Sequence, residues 1–409
     1  MKILIVSQYF WPENFRINDL VRDLTSRGHE VSVLTGMPNY PEGSIHADFK
    51  RSPERYRDYH GAKVIRVPLI PRGKRSIQLM LNYLSFAISA SLIGPFKLSG
   101  QQFDVIFCYE PSPITVGLPA IVMKWIKRAP LAFWVLDLWP ESLSAVGAVK
   151  SPLILRMVGG LVRFIYRHCD LILAQSKSFI SGIGRYCDDA DKIKYFPSWS
   201  EDLFTDGPVT HAPELTRRED LFNVVFAGNI GDAQDFPCIL KAAVLLRERR
   251  DIRWIIVGDG RMAAWAQDQI VQHGLHDTVV MTGRFALERM PSFFAHADAL
   301  LVTLKANDIF AMTIPGKLQT YLSSGLPVVA ALDGEGALVV TEAQAGYASD
   351  AGDAEGLAAS VARMAGLSSA ERESMGAAGK AYYEAQFAKK MLIDTLENDL
   401  RNLAESVLK

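Results

Sequence analysis

Cysteine is scarce in this chain of 409 residues, and it never has the close paired spacing typical of zinc sites. The four cysteines, Cys108, Cys169, Cys187 and Cys238, are scattered along the sequence. Residues 2–7 form an apolar, strand-like stretch, so we expect no signal peptide at the start of this sequence. We therefore expect a cytoplasmic protein in a reducing compartment, without a metal site.

Neither sign of charge is in excess. Lys and Arg number 44 and Asp and Glu 45, so the formal net charge is -1. Nothing in this balance indicates a nucleic-acid partner, and any site for an anion has to be local. The apolar share of 49% and the charged share of 22% are ordinary for a globular protein. Since 409 residues exceed the size at which one core stops growing, we expect two domains.

No run of about 18 uncharged apolar residues is apparent, so we expect no membrane-spanning helix. Two segments, residues 72–97 and 151–168, nevertheless combine Arg and Lys with many large apolar residues. Helices of this composition rest in the interface of a lipid bilayer. A core helix with a basic, solvated edge has the same pattern, so the sequence leaves both interpretations open.

Strands and helices alternate from the start of the chain. Residues 2–7 resemble a buried strand, residues 16–27 an amphipathic helix ended by Gly28, and residues 30–34 a second strand. This βαβ order predicts a parallel sheet. Further strands are predicted at 63–67, 105–108, 131–135 and 171–174. We assign residues 1–197 to an N-terminal, doubly wound, Rossmann-like domain.

The pattern starts again in the second half. Residues 198–220 are polar and turn-rich, with Asp206, Gly207 and Pro208 in sequence, and we predict a linker there. Strands are predicted at 223–227, 253–257, 279–282, 299–303 and 327–331. Residues 221–370 therefore form a second Rossmann-like domain, and residues 371–409 form helices that pack back on the N-terminal or the C-terminal domain.

Glycine follows most of the predicted strands of the second domain, at Gly228, Gly258, Gly260 and Gly283. In open α/β sheets ligands bind beyond the carboxyl ends of the strands, where glycine lets the backbone approach phosphate oxygens. A single glycine after a strand is more often only a turn. The recurrence of the pattern is what predicts a nucleotide site.

Pro315, Gly316 and Lys317 begin a predicted helix and form the strongest phosphate candidate. Pro suits the first helical turn, and Gly316 leaves N–H groups open to an anion that the helix dipole favours. The alternative is that Lys317 extends into solvent. A P-loop is excluded, because the chain contains no GxxxxGK[ST] sequence.

Two carboxylates and an aromatic residue, Asp137, Trp139 and Glu141, follow a predicted strand of the first domain. They are suited to sugar binding, and Asp137 is the candidate for contacting an acceptor hydroxyl or the charge that develops at an anomeric carbon. Asp137 as the N-cap of the next helix is the alternative. Glu141 is also explained as an ordinary carboxylate of a first helical turn.

Bulky residues replace the dinucleotide glycine fingerprint after the first strand. Glu13 and Asn14 lie there, and we expect them to contribute to an acceptor wall or to cap the following helix. Asn39 and Tyr40 lie in a second loop, stiffened by prolines, at the end of another predicted strand. We include both among the acceptor-binding candidates.

Together these segments resemble glycosyltransferase family 4, and most closely its bacterial enzymes that add N-acetyl-fucosamine or related sugars in O-antigen or capsule assembly. The resemblance runs from the first strand to about residue 331. The segments that carry it are Arg-Gly-His-Glu-Val at 27–31, Asn-Tyr-Pro-Glu-Gly at 39–43, Asp-Leu-Trp-Pro-Glu at 137–141, Gly-Asn-Ile-Gly at 228–231, Gly-Asp-Gly at 258–260, Pro-Gly-Lys at 315–317 and Ser-Gly-Leu-Pro at 324–327.

The resemblance implies a GT-B fold, in which two Rossmann-like domains face a central cleft. It also implies a retaining transfer from a nucleotide sugar, without an obligatory metal or another cofactor. A UDP-sugar is favoured over a GDP-sugar as the donor. The implied acceptor is a saccharide, including one linked to undecaprenyl diphosphate at the inner face of the cytoplasmic membrane. An acceptor of this kind favours the interpretation of residues 72–97 as a peripheral membrane contact.

The chain departs from the family pattern at the donor site. Met312 and Thr320 stand where many members carry two Glu, and Asn229 and Gln234 stand where Arg and Lys usually clamp the diphosphate. The positive charge then has to come from elsewhere, and the candidates for supplying it are Lys317, Arg284 and Lys305.

Our hypothesis places the diphosphate against Gly228 and Gly316, with Lys317 neutralising the leaving group. The base and ribose would lie near Gly283, Arg284 and Thr320. Two other functions stay open. One is a GT-B sugar-nucleotide epimerase, although the glycine-rich turns offer few acid/base groups. The other is a non-catalytic protein of polysaccharide assembly that binds nucleotide sugars, which the two missing Glu would explain.

Overall fold

The computed structural model describes residues 1–73, 75–145, 149, 151–204, 209–216, 218 and 220–406. The chain folds into two units, Met1–Pro197 with Lys390–Lys409, and Ser198–Lys389. Each unit has its own parallel-dominated sheet covered by helices, and each is described below by itself.

The first unit contains an eight-stranded sheet. Its strands are β1 (Lys2–Val6), β2 (Glu30–Gly36), β3 (Asp58–Tyr59), β4 (Ala62–Val67), β5 (Val105–Glu110), β6 (Leu131–Val135), β7 (Leu171–Ala174) and β8 (Ile193–Tyr195). They lie in the order β3-β4-β2-β1-β5-β6-β7-β8, and among the described strands β3 alone pairs antiparallel to its neighbour. The strand order reverses between β1 and β5, which is where doubly wound sheets bind ligands.

The helices of this unit include long ones that pack on the sheet. They are α1 (Arg16–Ser26), α2 (Ala47–Arg51), α3 (Ser76–Lys97), α4 (Gly117–Lys127), α5 (Glu141–Ala145), α6 (Pro152–His168) and α7 (Lys177–Gly184). α3 packs on β2, β4 and α4, and α4 also packs on α6. α3, α4 and α6 are thus neighbours in one helical layer.

The second unit contains a six-stranded parallel sheet. Its strands are β9 (Phe222–Ala227), β10 (Ile252–Val257), β11 (Val279–Gly283), β12 (Ala299–Thr303), β13 (Val328–Ala331) and β14 (Gly346–Ser349). They lie in the order β11-β10-β9-β12-β13-β14, with the reversal between β9 and β12. Its helices are α8 (Phe236–Leu245), α9 (Ala263–Gln272), α10 (Met290–Phe294), α11 (Asp308–Ala311), α12 (Gly316–Ser324), α13 (Gly334–Glu342), α14 (Ala354–Ala365) and α15 (Ser369–Gln386).

The C-terminal helices are divided between the two units. α15 stays with the second unit, whereas α16 (Lys389–Ser406) belongs to the first from Lys390 onward. α16 buries Leu392, Ile393, Leu396 and Leu400. Arg27 forms ion pairs with α16, at 2.5 Å to Asp394 and 3.2 Å to Glu397. The second unit therefore extends to residue 389, beyond the predicted limit of 370.

The segment predicted as a linker is part of the second unit. Ala212 and Leu215 are buried in its core, and Trp199 has no exposed surface. The backbone N–H of Ala212 donates to the carbonyl of Ser292 at 2.9 Å. These apolar residues, set among polar ones, anchor the segment. Asp206, Gly207 and Pro208 lie outside the described residues.

Among the described residues, α3 is the one helix long and apolar enough to cross a membrane. By length and composition α3 therefore passes the test that we expected no segment to pass, and a helix buried in a protein core passes the same test. The polar residues of α3 between positions 77 and 96 are Gln, Asn, Ser and Tyr, and no charged residue interrupts them. One side of the helix nevertheless packs into the unit through Asn82, Phe86, Ala87, Ala90 and Gly94.

Candidate active site

The start of α12 is fixed against the end of β9 by Tyr321. This fully buried side chain accepts a hydrogen bond from the N–H of Ala227 at 3.0 Å and donates one to the Ala227 carbonyl at 3.2 Å. Gly228, the next residue, has a φ of 144°, which favours glycine. The reversal point of the second sheet thus brings together a bare backbone turn and the N-terminus of a helix.

Lys317 reaches back from α12 to this turn. Its Nζ donates a 2.6 Å hydrogen bond to Oε1 of Gln234 and lies 3.8 Å from the centre of the Phe226 ring. The same atom lies 3.1 Å from the point where a Cβ on Gly228 would stand. The Lys317 side chain therefore does not extend into solvent, which was the alternative.

The charge of Lys317 is not neutralised by an acidic side chain. Within the described part of the chain, no carboxylate oxygen lies within ion-pairing distance of its Nζ. Lys317 as a whole keeps some exposed surface, but its ammonium group is enclosed, and burial lowers its pKa to about 7. An anion bound here would recover the electrostatic energy that burial costs this group.

The N-terminus of α12 adds to the anion site. No side chain caps this end, and Gly316 is exposed, with open space in the direction of a Cβ. Free N–H groups and the helix dipole favour a phosphate at such an end. Pro315, at the N-cap position, is buried and precedes these donors.

The glycines after the strands divide into two kinds. A Cβ on Gly258 would lie 1.8 Å from the carbonyl oxygen of Gly228, and one on Gly260 would lie 2.4 Å from the carbonyl oxygen of Ile230. These two glycines permit close backbone packing between turns. Gly283 has no atom within 4 Å of its Cβ direction and is exposed, so it leaves space for a ligand.

The other candidate groups of the donor site differ in their availability. Gln234 holds Lys317, and its own carbonyl accepts a hydrogen bond from Thr303 at 2.5 Å. Lys305 is paired with Asp232 at 2.5 Å, which corrects its prediction as a source of free charge. Asn229 and Arg284 are both exposed at the ends of their strands.

A carboxylate that the sequence analysis missed lies beside α12. The hydroxyl of Thr320 donates to Oε2 of Glu201 at 3.3 Å, and Ser323 and Ser200 hydroxyls are 3.0 Å apart. Glu201 thus stands next to the position where a family Glu is missing. Glu201 and Thr320 are far apart in sequence, and Glu201 lay in the supposed linker, so no local pattern connected them.

In the first unit, Asp137 follows β6 and is held by two side chains that come after it. Its carboxylate accepts hydrogen bonds from the hydroxyl of Ser142 and, at 3.1 Å, from Nε1 of Trp139. Burial raises the pKa of Asp137, and these donors oppose the rise. The side chain of Asp137 is only partly buried, so an incoming ligand can still contact its carboxylate.

Glu110, at the end of β5, is a second carboxyl group that the sequence analysis missed. It is fully buried, its Oε2 accepts a 3.4 Å hydrogen bond from the N–H of Asp137, and its Oε1 has no partner among the described residues. Burial, together with the charge of Asp137, raises the pKa of Glu110 well above its usual range. The sequence predicted a strand of apolar residues at 105–108, and Glu110 lies just beyond that run, so the pattern did not single it out.

The carboxylate of Glu13 is occupied by backbone groups. Oε1 accepts from the N–H groups of Asn39 at 2.6 Å and Tyr40 at 2.7 Å, and Oε2 accepts from that of Phe10 at 3.2 Å. Glu13 therefore joins two loops instead of facing an acceptor. Nor does it cap α1, because the N-cap is Phe15 and no side chain bonds that end; Asn14 is exposed.

The remaining acceptor candidates have mixed roles. Asn39 is fully buried and accepts from the N–H of Arg72 at 2.8 Å, while Tyr40 presents its ring to the Arg72 guanidinium at 5.2 Å. Trp139 is largely buried. Glu141 is 3.4 Å from the hydroxyl of Tyr186 and 3.6 Å from Arg185, so it is engaged with the region after α7.

Among the residues that the structure describes, no group of three or more His, Cys, Asp or Glu is placed to hold a metal ion. At the donor-site candidate, positive charge is available from Lys317, from the helix N-terminus and from the exposed Arg284 after β11.

Comparison with known proteins assigns the family. A model of the glycosyl transferase 4-like domain matches residues 14–199, and a model of the glycosyl transferases group 1 matches residues 222–366. The two models follow the two units and together cover most of the chain. The chain belongs to glycosyltransferase family 4, has the GT-B fold and is a glycosyltransferase.

Individual relatives agree with this assignment. The Escherichia coli (strain K12) protein WcaI, named as a glycosyl transferase of colanic acid biosynthesis, is 25% identical over 346 residues, which cover 80% of this chain and 82% of WcaI. Anabaena HepE, solved with UDP and glucose, has a TM-score of 0.68 at 18% identity, covering 98% of this chain and 99% of HepE. WaaG, a glycosyltransferase of lipopolysaccharide biosynthesis, has a TM-score of 0.65 at 13% identity, covering 98% and 99%.

Proposed function

We propose that this glycosyltransferase transfers a sugar, with retention of anomeric configuration, from a UDP-sugar to a saccharide acceptor in the biosynthesis of a surface polysaccharide. The observation that carries the donor part is Lys317, whose buried ammonium lies beside Gly228 without a carboxylate partner in the described chain. UDP is preferred over GDP because the solved relative HepE holds UDP. The names of WcaI and WaaG support the polysaccharide context.

In this proposal, the diphosphate of the donor lies against Gly228 and the N-terminus of α12. Lys317 neutralises the charge that builds up on the departing diphosphate, and the N–H groups at Gly316 share it. Charge from these groups takes the part that a metal ion plays in other transferases, so we propose a reaction without an obligatory metal. In this proposal the ribose hydroxyls bind near Thr320, whose own hydroxyl donates to Glu201.

The acceptor part of the proposal rests on the first unit. Asp137 stands at the carboxyl end of β6, one strand beyond the point between β1 and β5 where the strand order reverses. Its partly buried carboxylate is suited to accept a hydrogen bond from an acceptor hydroxyl. We propose a lipid-linked saccharide as the acceptor, because the same unit has an extensive apolar surface.

This apolar surface consists of large side chains of α3, α4 and α6 that the unit leaves exposed. On α3 they recur every three or four residues, so they form one stripe opposite the buried side of the helix. They are Ile77, Met80, Leu81, Leu84, Ile88, Leu92 and Phe96 on α3, Trp125 and Ile126 on α4, and Leu153, Ile154, Met157 and Phe164 on α6. Basic residues such as Arg156, Arg163 and Arg167 accompany them. We propose that this surface rests on an anionic bilayer.

The first experiment is thermal unfolding of the purified protein with UDP, GDP, ADP and NAD. A ligand at about 100 times its dissociation constant adds about 2.7 kcal/mol of stability, which gives a visible shift. We expect stabilisation by UDP, and loss of that stabilisation in Lys317→Ala. Stabilisation of the Lys317→Ala variant by UDP to the same extent as the wild type would overturn the assigned donor site.

Turnover separates the proposal from its two alternatives. Release of UDP from a UDP-sugar, with transfer to a lipid-linked acceptor, would exclude a non-catalytic binding protein. An epimerase would interconvert two UDP-sugars, and no acceptor would gain a sugar. Equal rates with and without a chelator are expected, since no metal is required in this proposal.

A further inference from the structure

Polar side chains stand at the carboxyl ends of three strands of the first sheet. Tyr9, Ser112 and Asp137 follow β1, β5 and β6, which lie side by side in the order β1-β5-β6. Arg72, just before α3, reaches this edge, because its Nη1 lies 3.5 Å from the hydroxyl of Tyr9. Ser112 has a φ of 116°, an unusual value for a residue with a side chain, as is found in ligand-binding loops. These groups all belong to the first unit.

Arg72 has a fixed position and an unneutralised charge. Its backbone N–H donates to Asn39, its guanidinium lies 5.2 Å from the centre of the Tyr40 ring, and its Nη1 is 3.5 Å from the hydroxyl of Tyr9. No carboxylate within the described ranges forms an ion pair with it. Glu13, which contacts the loop of Asn39 and Tyr40, already accepts three backbone N–H groups.

Arg72 also marks the boundary between polar and apolar surface. On one side the sheet edge leads from Tyr9 through Ser112 to Asp137, and on the other the exposed stripe of α3 begins at Ile77. A ligand with a sugar at one end, phosphate in the middle and a hydrocarbon chain at the other end matches this order. A guanidinium binds phosphate oxygens through two parallel N–H groups, which adds direction to the charge.

We propose that Arg72 binds the phosphate or diphosphate that links an acceptor sugar to its lipid, with the sugar towards Asp137 and the lipid towards the α3 stripe. This inference rests on the proposed function, because it concerns the acceptor of that transfer. It assigns a phosphate site in the first unit, separate from the donor diphosphate site at Lys317.

The probe for this site is farnesyl diphosphate, measured by calorimetry with UDP in excess to occupy the donor site. We expect it to bind the wild type, and Arg72→Gln to weaken binding by about tenfold or more, as loss of a paired charge does. Arg72→Lys keeps charge but not the two parallel donors, and we expect an intermediate affinity. Arg75→Gln is the matched control, an exposed arginine three residues away, and we expect little change.

Inorganic pyrophosphate and farnesol distinguish the sources of the ligand. We expect both to bind more weakly than farnesyl diphosphate. Pyrophosphate binding as tight as farnesyl diphosphate would assign the site to free phosphate and overturn the lipid-linked assignment. Equal losses in Arg72→Gln and Arg75→Gln, or no binding to the wild type, would overturn the site itself.

A Lys317→Ala variant keeps this test separate from the proposed donor site. It should lose UDP and retain farnesyl diphosphate, whereas Arg72→Gln should retain UDP and lose farnesyl diphosphate. Retained UDP binding also shows that Arg72→Gln is folded. Failure of UDP to bind the wild type would count against the donor proposal and not against Arg72.

Discussion

The ammonium of Lys317 donates a 2.6 Å hydrogen bond to the amide oxygen of Gln234, a neutral partner that orients the charge without cancelling it. Burial beside this amide lowers the pKa of Lys317 to about 7. A diphosphate next to the ammonium favours its charged form and so raises that pKa. Donor binding and protonation of Lys317 are therefore coupled.

The first prediction concerns the pH dependence of UDP affinity. Above pH 7 the complex holds a proton that the free protein has lost, so affinity falls as pH rises, by up to about tenfold per pH unit. Below about pH 7 Lys317 is protonated in both states and contributes no slope. Calorimetric dissociation constants for UDP measured from about pH 7 to about pH 9 check this.

Lys317→Arg is the control for this pH dependence. Arginine stays charged throughout the range, so the variant should retain UDP binding and lose the slope above pH 7. A wild-type affinity that is flat from neutral to alkaline pH would contradict the assigned coupling.

Strands made of buried, mostly apolar residues were predictable, and strands without buried residues were not. Runs such as residues 131–135 and 299–303 are buried throughout, and the predicted bounds agree with those of β6 and β12. β3 has two residues, and neither β8 nor β14 has a buried residue, so no apolar pattern distinguishes them. Their pairing depends on neighbouring strands, which is tertiary information.

The second prediction compares two glycines of the donor site. Gly258→Ala places a Cβ 1.8 Å from the Gly228 carbonyl at a φ of 154°, so the turns must separate. We expect a loss of more than about 2 kcal/mol, or about 5 °C or more in the melting of the second unit. Gly316→Ala meets no atom within 4 Å, and we expect a change below about 1 kcal/mol.

Scanning calorimetry of both variants without ligand checks this comparison. Equal melting temperatures for Gly258→Ala and the wild type would show that the turns after β9 and β10 are not packed as described. UDP affinity of Gly316→Ala, measured separately, reports how closely phosphate approaches the start of α12.

The third prediction concerns Glu13. Its replacement in Glu13→Ala leaves three buried backbone N–H groups without acceptors, each costing about 1 kcal/mol or more. We therefore expect a loss of about 3 kcal/mol in the stability of the first unit. Glu13→Gln keeps one oxygen for the N–H groups of Asn39 and Tyr40, so we expect a smaller loss, near 1 kcal/mol for about one bond.

Asn14→Ala is the control for Glu13, since Asn14 is the exposed neighbour. The melting temperature of Asn14→Ala should equal that of the wild type. An unchanged melting temperature in Glu13→Ala would contradict the role of this carboxylate in joining the two loops. Sequence patterns placed Glu13 and Asn39 in two loops at strand ends. They did not indicate that backbone N–H groups occupy the carboxylate, because that depends on how the loops meet.

The sequence located the residues of the donor site better than their partners. Lys317 and Gly228 follow from turn and helix patterns, and the structure brings them together. Gln234 was predicted to contact the nucleotide sugar, at a position where the family carries a clamp residue, but the sequence did not indicate that its amide orients Lys317. The pairing of Thr320 with Glu201 joins positions distant in sequence, which periodicity does not reveal.

The last prediction concerns the exposed stripe of α3. Ile88 and Leu92 are 58% and 64% exposed, one helical turn apart. If the stripe rests in a bilayer, Ile88→Asp with Leu92→Asp removes about 3 kcal/mol of apolar burial and lowers vesicle affinity by about 100-fold. Sedimentation with phosphatidylcholine vesicles, with and without phosphatidylglycerol, measures this affinity, and we expect the anionic vesicles to bind more strongly.

A matched control lies in the second unit, where Val271 and Leu338 are 68% and 54% exposed. Val271→Asp with Leu338→Asp adds the same charge to surfaces that we do not assign to the membrane, so its vesicle binding should equal that of the wild type. Because all four side chains are exposed, neither double variant should lose stability. Equal sedimentation of the α3 variant and the wild type would leave the stripe without a role in membrane binding.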